Sequence, residues 1–227
     1  MFENIKGSDA DIMIPGVGQV GCFKRNLKLG LIGSRYETNN DKYRIKIANT
    51  AGFIVSKSRD KNIIPTQSGP FQCFMMSSKS IASLNLEEEN WLDNTKYALP
   101  DDQVFFYKCF LNGIRQLNCI NPNFKHLDHG SSSPTRTKDA AYASGRNFFI
   151  FWHRFLYIPA NLLKKPWLLF CINYRILAFV LLYLVKGVCL RDFQILKSYC
   201  LGVRDGFYFI YSKEYESLPL MRSKVYN

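Results

Sequence analysis

Two adjacent acids, Asp101 and Asp102, follow Pro100 at the head of an apolar stretch. Carboxylates in the first turn of a helix face unpaired backbone N–H groups, which favour the ionised form and leave it able to accept a proton or a metal. The same placement also serves as an ordinary helix cap. Two of the three histidines, His126 and His129, stand three apart in a polar segment. Neutral imidazole binds a divalent cation or acts as a base; the plainer alternative is a surface loop. Ser131, Ser132, Ser133, Arg136, Lys138, Tyr142 and Arg146 follow. They are donors suited to phosphate oxygens, or simply the polar side chains of a loop. Asp9-Ala10-Asp11 has the D-x-D spacing of some metal sites, yet it precedes the apolar run of Ile12, Met13 and Ile14 instead of closing it. That order argues against a metal there.

The elements that must position these groups are partly readable. Ile12, Met13 and Ile14 end at Pro15-Gly16, a strand entering a loop. Tyr43–Ala48 and Gly52–Ser56 read as short strands, and residues 68–78 as a compact apolar strand. Lys79–Leu86 allows one or two helical turns, and Trp91 falls in a loop that opens with Glu87, Glu88 and Glu89. Over 100–113, Pro at the start, acids in the first turn, a dense apolar set and Gly113 at the end predict a buried helix. A strand over Ile114–Ile120 follows, then a Ser/Thr/Gly-rich loop over 126–147. From Phe148 the character is apolar and basic, and Pro159 and Pro166 divide it into separate helices.

Composition bounds the function classes. The 227 residues carry 30 Lys+Arg against 18 Asp+Glu, a net charge of +12, so anionic partners are expected. At 47% hydrophobic and 15% aromatic, the chain builds a core, which excludes global disorder. The seven cysteines are odd in number and form no C-x-x-C pair, which argues against a disulfide framework and a cysteine zinc site and for a reducing compartment. The opening residues contain no apolar run of signal-peptide length. Ile176–Val185 is uninterrupted but short of a span, with Arg175 and Lys186 at its edges. Between Ala140 and Arg204 the only acid is Asp192, against eight bases interleaved with Trp152, Tyr157, Trp167 and Tyr183. This pattern fits an amphipathic hairpin on an anionic membrane surface. Nucleic acid is not expected as a partner, because the bases lie among apolar stretches and no binding motif accompanies them.

The order of the pieces is more specific than any one of them. G-P-F-Q-C-F-M-M, an acid pair opening a helix that ends F-L-N-G, a strand, H-L-D-H-G-S-S-S and a later Y-x-x-x-R-N precede the basic apolar helices. Together they resemble the second half of a family 2 glycosyltransferase of the GT-A fold, like bacterial enzymes that build O-antigen and other surface polysaccharide, rhamnosyltransferase-like members included. The resemblance covers roughly residues 9–206. It implies an α/β fold: a partial GT-A, Rossmann-like mixed sheet over 1–147, then C-terminal amphipathic helices over 148–227 that associate with a membrane. It implies inverting transfer from a nucleotide-sugar donor to a lipid-linked or polysaccharide acceptor. By resemblance, Asp102 is the base that deprotonates the acceptor, with Asp101 replacing the family's Glu. His126, or else His129, ligates a divalent Mg or Mn ion, Arg146 contacts the donor diphosphate, and Trp91 lines the acceptor site. The nucleotide-binding half is not recognised in the chain, so a truncated form with little activity alone is expected. Its expected place is cytoplasmic, peripheral to the inner face of the plasma membrane. The competing expectation is a non-catalytic basic protein that binds membranes.

Overall fold

A computed structural model describes residues 10–15, 29–40, 42–57, 62–69, 74–77, 84, 86–97, 99–119 and 134–219. The fold is mixed α/β, with two small mixed sheets and a set of helices. In the first sheet β1 (Ile12–Pro15) lies parallel to β7 (Gln116–Cys119). Strands β5 (Ile63–Pro65) and β6 (Met75–Met76) pair antiparallel on the outer sides of β7 and β1. Ile12, Met13 and Ile14 are fully buried, as a parallel strand covered on both faces requires. Ile12 and Ile14 pack on the helix α1 (Asp101–Leu111) through Phe105, Phe106 and Cys109, while Met13 meets Leu117 and Cys119 on the other face. The second sheet has the order β2 (Arg35–Thr38), β4 (Phe53–Ser56), β3 (Ile45–Ile47).

Helix α1 forms where the sequence predicts it. Asp101 and Asp102 fill its first turn, Lys108 its last, and Gly113 just beyond takes φ +77°, which suits glycine. Its Val104 and Leu111 face a second and larger core. Phe149, Phe151, Trp152 and Phe155 supply most of that core's buried aromatic rings, and Ile150 packs among them. Helix α1 is thus wedged between the first sheet and the helical layer.

The helical layer begins earlier than expected. Helix α2 runs Pro134–Trp152 and continues as a π-helical turn, His153–Tyr157, so residues 134–147 are helix where the composition reads as loop. The reason is tertiary. A Cβ at Gly145 would lie 2.5 Å from the Tyr199 carbonyl oxygen, and one at Gly206 2.8 Å from that of Arg146. Small residues let α2 approach α4 (Gln194–Phe209) backbone to backbone, and this packing offsets the weak local propensity. The expected division between 147 and 148 falls inside α2, and the larger core draws on both sides of it. Helix α3 (Lys165–Leu190) has Pro166 in its first turn, as the sequence suggests, and a short α5 (Lys213–Glu216) follows α4.

The turn between β3 and β4 joins the layers. Ala51 takes φ 57°, and a Cβ at Gly52 would lie 2.6 Å from the Ser34 carbonyl oxygen. Two adjacent carbonyls of this turn are gripped from different helices: Gln103 Nε2 of α1 donates to Ala51 O at 3.1 Å, and Arg175 Nη1 of α3 donates to Thr50 O at 2.8 Å.

Candidate functional site

The acid pair sits where α1 begins, with Asp101 exposed and Asp102 half-buried. Asp101 Oδ1 accepts from the Asp102 backbone N–H at 2.9 Å, and Asp102 Oδ1 accepts from the Gln103 N–H at 2.7 Å. Both carboxylates engage N–H groups of the first turn, as expected of acids there. The N–H groups do not decide the protonation of Asp102. Burial pushes its carboxyl up, the neighbouring Asp101 charge adds to that, and the pKa comes to about 6 in spite of the backbone donors. The residue is mostly ionised at pH 7 yet basic enough to take a proton, the range suited to a general base.

Three contacts fix the helix that carries it. Gln103, fully buried, ties α1 to the β3–β4 turn. Gln116 Nε2 of β7 donates to Phe106 O at 2.8 Å. Lys108, near the far end of α1, reaches a buried charge cluster that the sequence reading missed. Glu89 accepts from Arg154 Nε and Nη2, both at 2.9 Å, from Lys108 Nζ at 3.2 Å and from Trp91 Nε1 at 2.7 Å. Lys108 Nζ also donates to Glu88 at 2.8 Å. The cluster pins the 3₁₀ segment Leu86–Leu92, α1 and the π-helical turn to one another. The signal available in the sequence was Lys108 and Arg154 standing inside its most apolar stretches, where a base needs a buried partner.

Two residues assigned by resemblance turn out to be interior. Trp91 is fully buried and spends its ring N–H on Glu89, so it is a core side chain instead of the wall of an acceptor site. Arg146 is only 6% exposed. Its Nη1 donates to Trp91 O at 2.8 Å and to Asn147 Oδ1 at 2.9 Å, and its guanidinium lies 4.8 Å over the Phe209 ring. That arginine joins α2 to the Trp91 segment and is not presented to a diphosphate. His126 and His129 lie outside the described residues, as do Ser131, Ser132 and Ser133. The described residues contain no group of three His, Cys, Asp or Glu side chains placed to hold a metal. Asp11 Oδ2 accepts from the Arg115 N–H at 3.0 Å, which secures the start of the β1–β7 pairing. The third histidine, His153, faces Tyr215 Oη across 2.7 Å, and burial lowers its pKa to about 4, so it is neutral at pH 7.

One face of the helical layer is apolar and open. The described part of the chain has one helix long and apolar enough to cross a membrane, Lys165–Leu190, with a mean hydropathy of 2.2 in its most apolar window. Leu168, Cys171, Ile172 and Arg175 turn inward, while Trp167, Phe170, Leu177 and Leu181 are turned to solvent. The helix is therefore apolar on both faces, where an amphipathic one was expected.

No protein-family model, curated protein or solved structure matches this chain.

Proposed function

We propose that the chain is the acceptor-side half of an inverting glycosyltransferase resembling family 2 and the GT-A fold, with Asp102 as its base. The observation that carries this reading is Asp102 itself: a half-buried carboxyl at the start of a helix held from three sides, with its pKa raised to about 6. In the reaction, Asp102 takes the proton of an acceptor hydroxyl. The acceptor oxygen bonds to the anomeric carbon of a nucleotide sugar as the bond from that carbon to the diphosphate oxygen breaks, and the electron pair leaves with the nucleoside diphosphate. Asp101, exposed beside it, is free to hydrogen-bond a second hydroxyl of a glycan or lipid-linked acceptor, and its charge helps keep Asp102 basic. A divalent Mg or Mn ion, for which His126, or else His129, is the proposed ligand, would neutralise the departing diphosphate.

The test is transfer from a panel of nucleotide sugars, with Mg²⁺ or Mn²⁺, by the full chain and by the chain fused behind a nucleotide-binding half of that family. Turnover that falls at least 100-fold in Asp102→Asn supports the reading, a loss in the range usual for a missing base. Turnover unchanged in Asp102→Asn removes it. A second reading, a non-catalytic membrane-binding protein, is favoured by the open apolar face of α3; it expects no transfer from either form.

A further inference from the structure

Helix α3 presents an apolar stripe that no other described residue covers. Trp167, Phe170, Leu177, Leu181, Leu184 and Val188 recur at helical spacing on the side opposite Leu168, Ile172 and Arg175, and are 40–62% exposed. A stripe this long, on a helix of about 39 Å, far exceeds the scattered apolar residues of an ordinary surface. Three observations say what covers it.

The first is the charge at its ends. Lys164 and Lys165 stand at one end and Lys186 and Arg191 at the other, and between residues 140 and 204 the only acid is Asp192. On a helix lying along a membrane surface, bases at both ends stand at the level of anionic headgroups while the apolar stripe between them faces the acyl boundary.

The second is the tether at the middle of the helix. Arg175 is buried, donates to Thr50 O at 2.8 Å and lies 4.3 Å over the Phe148 ring. Next to it, the Tyr174 hydroxyl donates to Leu31 O. Were α3 to cross a bilayer, it would draw these irregular segments and their backbone polar groups into hydrocarbon, which lipid does not tolerate. A helix bound to the protein along one side can only lie flat.

The third is what flanks the stripe. Its spacing of three and four residues would also suit a coiled-coil seam with a second copy, but such seams carry charged flanking positions that set pairing. From residue 166 to 185 the only charge is Arg175, which is turned inward.

We propose that the outer face of α3 is a docking surface for an anionic lipid bilayer, on which the helix lies in the membrane plane with its apolar side chains below the headgroups. This deepens the transferase reading, since it names the surface that brings a lipid-linked acceptor to the chain. It is measured without donor or acceptor, so its failure leaves the chemistry of Asp102 untouched.

The experiment is flotation of the full chain with vesicles of phosphatidylcholine alone or with 30% phosphatidylglycerol, a composition of roughly physiological charge. The chain is expected to float with the anionic vesicles, and Leu177→Ser/Leu181→Ser to lose at least ten-fold in binding. Both positions are exposed, so circular dichroism is expected to be unchanged. Lys164→Gln/Lys165→Gln, which leaves the apolar face intact, is expected to lose about five-fold per charge in the anionic vesicles. Quenching by brominated lipids then reads depth. A flat helix puts Trp167 and a Leu184→Trp reporter at the same shallow level, some 5–10 Å into the boundary. Failure of the wild type to float, unchanged binding in the serine variant, or reporters at clearly different depths each overturns the proposal. Concentration-dependent dimerisation abolished by the serine variant, with no vesicle binding, assigns the face to a second copy instead.

Discussion

Opposing forces act on the carboxyl of Asp102. The first-turn N–H groups and the hydrogen bond from Gln103 favour its charge, while burial and the Asp101 charge oppose it and prevail, bringing the pKa from 3.8 to about 6. A raised carboxyl pKa has a definite sign. The folded state binds its proton more tightly than the unfolded chain, so ionised Asp102 costs stability above pH 6, and the cost disappears below about pH 4. Two consequences separate a tuned base from a mere cap. Transfer by the wild type should fall below pH 6 as the carboxyl protonates, and a pH profile of kcat/KM reads this inflection directly. Urea unfolding should find Asp102→Asn more stable than wild type by roughly 1–2 kcal/mol at pH 8, a figure reduced for partial solvent access, and no more stable at pH 4. A carboxylate that only capped the helix would show the opposite: Asn would cost stability at pH 8.

At the scale of elements, the β3–β4 turn is the joint of the fold. It offers Thr50 O to Arg175 of α3 and Ala51 O to Gln103 of α1, so the helix with the open apolar face and the helix with the acid pair hold neighbouring peptide groups. The two grips differ in energy. Arg175→Met leaves a buried carbonyl without its charged donor, and urea or thermal unfolding should show a loss of about 1–3 kcal/mol. Gln103→Leu also strands a carbonyl, but it removes Gln103 Oε1, which has no hydrogen-bond partner among the described residues; the two effects should cancel to within about 1 kcal/mol. Transfer activity should nevertheless drop in Gln103→Leu, because the start of α1 loses its tie to the turn. Unchanged activity would make that tie structural only. These elements also show what local sequence carries. Helix α1 was legible because its signals are adjacent: Pro100, two acids, a dense apolar set and Gly113. Strand β1 was legible because a strand buried on both faces is a plain apolar run. Helix α2 was not, since the glycine that weakens it locally is what lets α4 approach. Trp91 and Arg146 were misplaced for a related reason: whether a polar or aromatic group faces a cleft or the core is decided by distant packing, here Arg154 and Lys108, which hold Trp91's partner Glu89 inside, and Phe209 beneath Arg146. His126 and its alternate His129 fall outside the described residues.

For the whole molecule, the distribution of charge and apolar surface outweighs the total. The net charge of +12 would suit any polyanion, but Arg146, Arg154 and Arg175 are buried, and Lys164, Lys165, Lys186 and Arg191 stand at the ends of a helix whose buried side belongs to the protein and whose open side is hydrocarbon-like. An acceptor anchored in a bilayer is confined to the plane where such a helix lies, so docking raises its effective concentration without touching the chemical step. A soluble analogue of the same acceptor gains nothing from docking. The two acceptors should therefore respond differently to one variant. Leu177→Ser/Leu181→Ser is expected to lower kcat/KM at least ten-fold for a lipid-linked acceptor in anionic vesicles and to leave it within two-fold for the soluble analogue, whereas Asp102→Asn abolishes both. Equal losses on the two acceptors would show that the apolar face supports the fold of the active half instead of its delivery to the membrane. No loss on either would detach α3 from the reaction altogether.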